Sequence, residues 1–299
     1  TRLYGDAGTN ALIVSTIGSG FSGTYIIDFV NRIEGLGLKG KPLFFADFIL
    51  TINLSAGNDN LTITGMQTDS LITVNGLDGQ DTITVQTTGL NSHLIINGGN
   101  GNDMVNILST ALNSQLNING GNGNDSILLD NSNHSLDAML GVIIINGEGN
   151  ESTPDHSLVV SGQTNSKPVG DTLILQDYAD SSDNVYRLTN STVYRNSFGM
   201  ISFVALESLI LNTGTGDDLI DVQTTVSWSN TYINQTGANG GVDTLTIHTT
   251  GSYSNLWVSL YGGDEVVSIV RSGTGSFVYL LLGDGNDMVD VQTSGADGG

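Results

Sequence analysis

The sequence predicts an all-β protein, a parallel β-solenoid of the β-helix or β-roll kind with 22-residue coils and longer irregular coils. Acidic residues recur every 22 positions, at Asp59, Asp81, Asp103 and Asp125. Apolar residues follow each acid after two and four positions, as Ile83 and Val85 follow Asp81, which is the alternation of a strand with one buried face. Because a 22-residue unit is too small to bury its own apolar face, the coils are expected to stack on one another.

Each regular coil is predicted to contain a glycine-rich turn, a strand, a second turn and a second strand. The second strands end in ITVNG, LIING, LNING and IIING, with Ile72, Leu94, Leu116 and Ile143 facing inward. One asparagine closes each of these strands just before a glycine, at Asn75, Asn97, Asn119 and Asn146. Their shared position predicts a stacked amide ladder that caps the core, in preference to a set of metal ligands.

Two modules are predicted, because the pattern repeats at a larger scale. Residues 1–165 form the first, with a long coil at 1–56, regular coils at 57–146 and an irregular coil at 147–165. Residues 166–299 form an incomplete second module, with a long coil at 166–213 and regular coils at 214–299. Asp218 corresponds to Asp59, an offset of 159, so the module is about 160 residues long. We expect the chain to be a segment of a longer array.

Composition restricts the classes of partner and location. The chain has 299 residues, 30 of them acidic and eight basic, with a formal charge of -22, so nucleic acid is not an expected partner. The absence of cysteine excludes disulfides and thiolate metal sites and is compatible with a secreted bacterial protein. No apolar run approaches the roughly 20 residues of a membrane span, so no membrane insertion is expected.

The glycine-rich turns carry a family resemblance. GGNGNDMVN (98–106), GGNGNDSIL (120–128) and GDGNDMVDV (283–291) resemble the hemolysin-type repeats of RTX proteins, with consensus GGxGxDxUx. The chain departs from that family because the motif occurs once per 22 residues instead of every nine, and the opposite turns lack the glycines and the aspartate. The stretch FVALESLILNTGTGDDLIDV also resembles segments of large bacterial surface proteins built from β-strand repeats.

The RTX resemblance implies Ca²⁺ as the cofactor. Glycines permit the positive φ angles that direct carbonyls into a loop, and Ca²⁺ takes six to eight oxygen ligands. Carboxylates stacked about 4.8 Å apart would repel one another and need cations or shifted pKa values. We expect calcium along the turn edge around Asp81, Asp103, Asp125 and Asp287, while the alternative is that aspartate only caps each turn. The predicted metal-site residues are Asp59, Asp78, Asp81, Gly99, Gly101, Asp103, Gly121, Gly123, Asp125, Asp218, Asp243, Asp264, Asp284 and Asp287.

The expected function is structural: a calcium-stiffened segment of a large secreted or cell-surface bacterial protein, acting as a stalk, layer, adhesin or extracellular filament. Its expected partners are neighbouring modules or further copies of the chain, with surface polysaccharide as a further candidate. No enzyme activity is expected, since the eight basic residues mostly avoid the regular coils and no nucleophile signature occurs. The alternatives are a polysaccharide-active β-helix enzyme (lyase, epimerase or tailspike-like) and a carbohydrate-binding module that stacks sugars on Trp228 and Trp257.

Overall fold

The computed structural model describes residues 48–149, 170–196, 199–235 and 240–292, together with short strands at 2–4, 10–15, 24–28, 32–34 and 43–46. Much of the predicted long coil at 1–56 and most of the irregular coil at 147–165 lie outside the described residues. Within these ranges the protein is all-β, as predicted, and its one helical element is the single 3-10 turn η1 (Leu136–Ala138). No helix in the described part of the chain has the length and apolar character needed to cross a membrane.

The described strands form two sheets of 13 strands each. Numbered in chain order and given in spatial order, the first sheet contains β1 (Arg2–Tyr4), β5 (Leu43–Ala46), β4 (Arg32–Glu34), β3 (Thr24–Asp28), β7 (Asn60–Ile63), β9 (Thr82–Val85), β11 (Met104–Ile107), β13 (Ser126–Leu129), β15 (Thr172–Gln176), β19 (Ser208–Thr213), β21 (Asn230–Gln235), β23 (Asn255–Ser259) and β25 (Phe277–Leu281). The second sheet contains β2 (Asn10–Ser15), β6 (Phe48–Asn53), β8 (Leu71–Asp78), β10 (His93–Asn100), β12 (Gln115–Asn122), β14 (Val142–Gly149), β18 (Ile201–Val204), β17 (Thr192–Arg195), β16 (Val185–Leu188), β20 (Leu219–Val222), β22 (Thr244–Ile247), β24 (Val266–Ile269) and β26 (Met288–Val291).

Strands in the regular region alternate between the two sheets along the chain and pair in parallel. Leu94 of β10 pairs with Ile72 of β8 on one side and with Leu116 of β12 on the other, so its partners lie 22 residues before and after it. Parallel sheets linked by this alternation are compatible with a β-solenoid. We call the side where the chain passes from the second sheet to the first the left edge, and the opposite side the right edge.

Two antiparallel excursions interrupt the alternation. In the first sheet β4 runs antiparallel between β3 and β5, and in the second sheet β17 runs antiparallel between β16 and β18. Each excursion places three consecutive strands in one sheet before the chain crosses to the other. The two excursions lie in different sheets, and the strands that follow them are exchanged in the same way: β7 belongs to the first sheet whereas β20, its counterpart 159 residues later, belongs to the second.

The core lies between the two sheets and is filled from both. Ile83 and Val85 of β9 are completely buried, as are Leu94 and Ile96 of β10, while the intervening residues face outward. The buried apolar side chains form one cluster that extends from Ile27 to Ile269. The predicted inward positions are therefore confirmed, and the alternation with period two sets the register of every regular coil.

An amide ladder crosses the second sheet at the predicted asparagines. Asn75 Nδ2 donates to Asn53 Oδ1 at 2.6 Å, Asn97 donates to Asn75 at 2.7 Å, and Asn119 donates to Asn97 at 2.7 Å. Asn146 departs from the predicted ladder, since its amide donates to Glu148 Oε1 of its own strand. The ladder therefore joins four successive strands of the second sheet, from Asn53 of β6 to Asn119 of β12, and does not include β14.

We expect Asn97→Ala to lower the free energy of unfolding by about 1 to 2 kcal/mol, because it removes two half-buried hydrogen bonds. Asn100→Ala is the matched control, since Asn100 also makes two ladder hydrogen bonds, donating to Asp78 and accepting from Asn122, in a parallel but exposed ladder. Urea denaturation of both variants measures the difference. Equal losses would show that the half-buried ladder contributes no more than the exposed one.

Candidate functional site

Acidic side chains form a continuous ladder along the left edge. The backbone N–H of Asp59 donates to Asp81 Oδ1, that of Asp81 to Asp103 Oδ1, and that of Asp103 to Asp125 Oδ1, each at 2.8 Å. The ladder continues as Asp125 N–H donates to Asp171 Oδ1 at 2.8 Å and Asp171 N–H donates to Glu207 Oε2 at 2.9 Å. Each acid therefore caps the turn of the preceding coil. We call this set the left acid ladder.

Four carboxyl groups of this ladder are buried and have raised pKa values. Desolvation raises the pKa of Asp81 to about 7, that of Asp125 to about 6 and that of Asp171 to about 7, against the lowering effect of the backbone N–H that each accepts. Burial raises the pKa of Asp103 in the same direction. Neighbouring carboxylates add to the shift at Asp81 and Asp125. A ladder of ionised carboxylates is therefore unfavourable at neutral pH unless a cation or a proton compensates the charge.

One carboxylate oxygen in each of three successive left-edge turns has no hydrogen-bond partner. Oδ2 of Asp81, Asp103 and Asp125 is buried and unpartnered. It faces a glycine of its own turn: a Cβ added at Gly76 would lie 2.5 Å from Asp81 Oδ2 and 2.1 Å from the carbonyl oxygen of Gly98. Carboxylate and carbonyl oxygens thus converge beside a bare glycine, and both are ligand types that Ca²⁺ accepts.

Each of these turns supplies one carboxylate with an unpartnered oxygen, and backbone carbonyl groups lie next to that oxygen. Among the described residues, no group of three or more His, Cys, Asp or Glu side chains is placed to hold a metal ion. The predicted Gly99, Gly101, Gly121 and Gly123 all have positive φ. Glycine is required at Gly101 because a Cβ there would lie 1.8 Å from the carbonyl oxygen of Gly79. A cation at this edge would therefore bind mainly to backbone carbonyls, with a single carboxylate from each coil.

A second ladder lies on the opposite edge, in the second half of the protein. Asn184 N–H donates to Asp218 Oδ1 and Asp218 N–H donates to Asp243 Oδ1, both at 2.9 Å, and Glu265 N–H donates to Asp287 Oδ1 at 3.2 Å. We call Asp218, Asp243, Glu265 and Asp287 the right acid ladder. Burial raises the pKa of Asp218 to about 7 and that of Asp243 to about 6. The expectation of one shared turn edge is therefore wrong: Asp287 lies on the opposite edge from Asp81.

On the edge opposite each acid ladder, the turns carry threonine and serine hydroxyl groups instead of acids. On the right edge of the first half, Thr88 Oγ1 donates to Ser114 Oγ at 2.8 Å. On the left edge of the second half, Thr225 and Ser254 hydroxyls are joined at 2.9 Å. Acidic turns therefore lie on the left edge in the first half and on the right edge in the second half, and hydroxyl-bearing turns lie on the other edge in each case. The physical reason is the sheet exchange described above, which puts equivalent turns on opposite sides.

The remaining predicted ligands have other hydrogen-bond partners or lie in solvent. Asp59 Oδ2 accepts from the backbone N–H and the hydroxyl of Ser55, and Asp243 Oδ2 accepts from Gln235 Nε2. Asp78 is exposed and accepts from Asn100 Nδ2 at 2.6 Å. Asp264 accepts from the backbone N–H of Asn286 at 2.8 Å, and Asp284 is exposed. The unpartnered geometry is thus found at Asp81, Asp103, Asp125 and Asp218 of the predicted set.

Three ladder members were missing from the predicted set. Asp171, Glu207 and Glu265 are each followed by apolar residues two and four positions later, such as Leu173 and Leu175 after Asp171. That spacing equals the spacing after Asp81 and could have identified them. Their turns lack the full glycine motif, and the 46-residue step from Asp125 to Asp171 breaks the interval of 22.

A buried ionic cluster lies on the right edge where the two halves meet. The Arg195 guanidinium contacts Asp177 Oδ2 through Nε at 2.8 Å, Asp137 Oδ1 through Nη1 at 2.5 Å, and Asp180 Oδ2 through Nη2. Tyr186 Oη donates to Asp177 Oδ2 at 2.6 Å. Burial raises the pKa of Asp177, while Tyr186 and Arg195 act against that shift. No periodic signal in the sequence predicts this cluster.

Comparison with known proteins gave no identification, since no family model matches the chain and no curated protein matches it.

Proposed function

We propose that this chain is a structural and adhesive segment of a large secreted or cell-surface bacterial protein, a β-solenoid stiffened by calcium. The observation that carries the proposal is the left acid ladder, because it places an orphaned carboxylate oxygen at the same point of successive coils. A ladder repeated along the sheet suits a stiffening role better than a single catalytic centre. In this proposal the repeating unit of the solenoid is the 22-residue coil. The pairing of Leu94 with Ile72 and with Leu116, each 22 residues away, supports that unit.

Calcium is the proposed cofactor, and the resemblance to RTX repeats is the proposed family relationship. Asp81, Asp103 and Asp125 would each contribute Oδ2, and the glycine carbonyls of adjacent turns would complete the ligand set. Bound cations would neutralise the repulsion between carboxylates stacked about 4.8 Å apart. Binding would then be coupled to folding, since the ligands converge only when the coils stack.

The module of about 160 residues is also part of the proposal. Its support is the pair of antiparallel excursions, β3 to β5 and β16 to β18, which occur once in each half and in opposite sheets. The proposed partners are neighbouring modules or further copies of the chain. Parallel pairing of one coil with the next needs no closure, so the same pairing can continue from coil to coil. An extracellular location would provide the calcium concentration that such turns require.

Adding millimolar Ca²⁺ at pH 8 should raise the melting temperature over that in chelator, with an equal concentration of Mg²⁺ as the ion control. Calcium at 100 times its dissociation constant would stabilise the fold by about 2.7 kcal/mol per independent site. Calorimetric melting with and without chelator measures the effect. An unchanged melting temperature would refute the calcium proposal.

The matched variants are Asp103→Asn and Asp69→Asn. Asn at position 103 keeps an oxygen to accept from Asp81 N–H but loses the carboxylate charge, so we expect a smaller calcium response. Asp69 is an exposed acid on the right edge of the first half, where Asn91 donates to it, and its substitution should leave the response unchanged. Equal calcium responses of the two variants would place the ion elsewhere.

A further inference from the structure

Aromatic side chains form two rows on one side of the second half. On the first sheet, Tyr232, Trp257 and Tyr279 occupy paired positions on β21, β23 and β25, with ring centroids 6.4 Å and 5.2 Å apart. On the left edge, Trp228 and Tyr253 stack with centroids 4.3 Å apart. Both tryptophans of the chain therefore lie on this surface, which we call the aromatic face.

The edge row is held in a backbone conformation that bulky residues rarely adopt. Trp228 has φ 60° and Tyr253 has φ 53°, in the left-handed region that favours glycine and asparagine. The corresponding positions of the first half are occupied by Asp69, Asn91 and Asn113, with φ between 53° and 58°. Aromatic residues at such positions are unfavourable for the backbone, and strain of this kind is a feature of functional sites. Trp228 and Tyr253 are nevertheless 49% and 47% exposed, so they remain accessible to a ligand.

The polar groups between the two rows are amides. Asn230 and Asn255 lie between the edge row and the sheet row, and Asn255 Nδ2 donates to Asn230 Oδ1 at 2.9 Å. That bond uses one of the two N–H groups of Asn255, so the second can bind a ligand hydroxyl. Trp228 and Tyr232 are four positions apart in the sequence, with Trp228 in the turn and Tyr232 on β21.

The sheet part of the aromatic face carries no charge, although the chain has a formal charge of -22 and the next left-edge turn carries the exposed Arg271. Among the described strands, the outward residues of β21, β23 and β25 are Asn230, Tyr232, Asn234, Asn255, Trp257, Ser259, Phe277, Tyr279 and Leu281. The second sheet differs, because Arg187 and Asp221 form an ion pair on its outer surface and His248 Nε2 lies 3.1 Å from Asp221 Oδ1. A neutral surface of aromatic rings and amides matches the apolar C–H faces and the hydroxyl groups of an uncharged sugar.

We infer that the aromatic face binds a neutral polysaccharide, with the chain lying along the strands across the edge row, the amides and the sheet row. The sugar rings contact Trp228, Tyr253 and Trp257, and Asn230 and Asn255 bind hydroxyl groups between them. This inference gives the adhesive part of the proposed function a ligand class. It uses no residue of either acid ladder, so it does not depend on calcium.

The test uses the intact chain with insoluble cellulose and chitin, with soluble hydroxyethylcellulose, and with polygalacturonate as the anionic comparison. Binding to at least one neutral polymer is expected in chelator as well as in calcium, together with a change in tryptophan fluorescence, because both tryptophans lie on this face. Trp257→Ala should weaken binding about tenfold. Absence of binding to all the neutral polymers, or binding to polygalacturonate alone, would overturn the inference.

A variant that preserves the fold separates binding from stability. Trp228→Asn combined with Tyr253→Asn replaces both edge aromatics by the residue found at Asn91 and Asn113, so we expect an unchanged or higher melting temperature and about tenfold weaker binding. Tyr194→Asn, at an exposed tyrosine of the second sheet, is the control and should bind normally. Unchanged polysaccharide binding by the double variant would contradict the inference. If the double variant also changes its oligomeric state in gel filtration while binding stays unchanged, the edge aromatics form a contact between copies of the chain.

Discussion

In the presence of chelator, the free energy of unfolding should be higher at pH 5 than at pH 8. The buried ladder carboxyls hold protons more tightly in the folded protein, with pKa values of about 7 at Asp81 and Asp218 and about 6 at Asp125, than in the unfolded chain, where the ordinary value is 3.8. Between these values the folded state binds more protons, so stability is lost as the pH rises through about 6 to 7. A single pKa raised from 3.8 to about 7 corresponds to about 4 kcal/mol.

Urea denaturation at pH steps from 4 to 8 measures this profile. The variant Asp81→Asn, Asp103→Asn, Asp125→Asn should flatten it, because the amides keep the ladder acceptors without a titrating group. Saturating calcium should also flatten the profile, since calcium and protons compete for the same buried oxygens. Stability that rises toward pH 8 in chelator would mean that the ladder carboxylates are ionised and already stabilised in the folded protein.

Arg195→Met should destabilise the fold by about 3 to 5 kcal/mol, because it leaves Asp177 and Asp180 buried without their cation. The Arg195 side chain is 1% exposed and contacts three carboxylates. Arg187→Met is the control, since Arg187 is 60% exposed and pairs only with Asp221 among the ion pairs of the described residues, at 3.0 Å. Exposed pairs contribute about 1 kcal/mol or less.

Denaturant midpoints of the two arginine variants give the comparison. Adding Asp177→Asn and Asp180→Asn to Arg195→Met should restore part of the lost stability, because the buried charges are then removed together. A small and equal loss for Arg195→Met and Arg187→Met would show that the buried cluster is not a stabilising feature of the junction.

The all-β class and the parallel sheets were predictable because the apolar alternation is local and repeated. Ile83 and Val85 after Asp81, and Leu94 with Ile96, carry enough signal to assign each strand and its buried face. The alignment of Asp81, Asp103 and Asp125 followed from the constant interval of 22. These features depend on residues a few positions apart or on a fixed period, which a sequence displays directly.

The exchange of edges was not predictable from the same signals. The turn around Asp287 has the same motif as the turn around Asp103, and no residue in it records on which side of the sheets it lies. That side depends on whether the chain has crossed between the sheets an even or an odd number of times since the earlier turn, and no local motif records that number. The Arg195 cluster was hidden for a different reason: Arg195 meets Asp137 across 58 residues, a separation that is not a multiple of the 22-residue interval.

The two acid ladders lie on opposite edges, the left one from Asp59 to Glu207 and the right one from Asp218 to Asp287, so a change in ladder spacing would bend these two stretches in opposite senses. A proton or cation that shortens the left acid ladder contracts the left edge of the first half, which then curves toward that side. The same event at the right acid ladder curves the second half toward the other side. The two bends are opposite in direction, so the solenoid axis takes an S shape. The axes of the two end coils are then displaced sideways from each other but stay parallel. If calcium binds along both ladders as proposed, its uptake would therefore displace the end coils sideways while leaving their axes parallel.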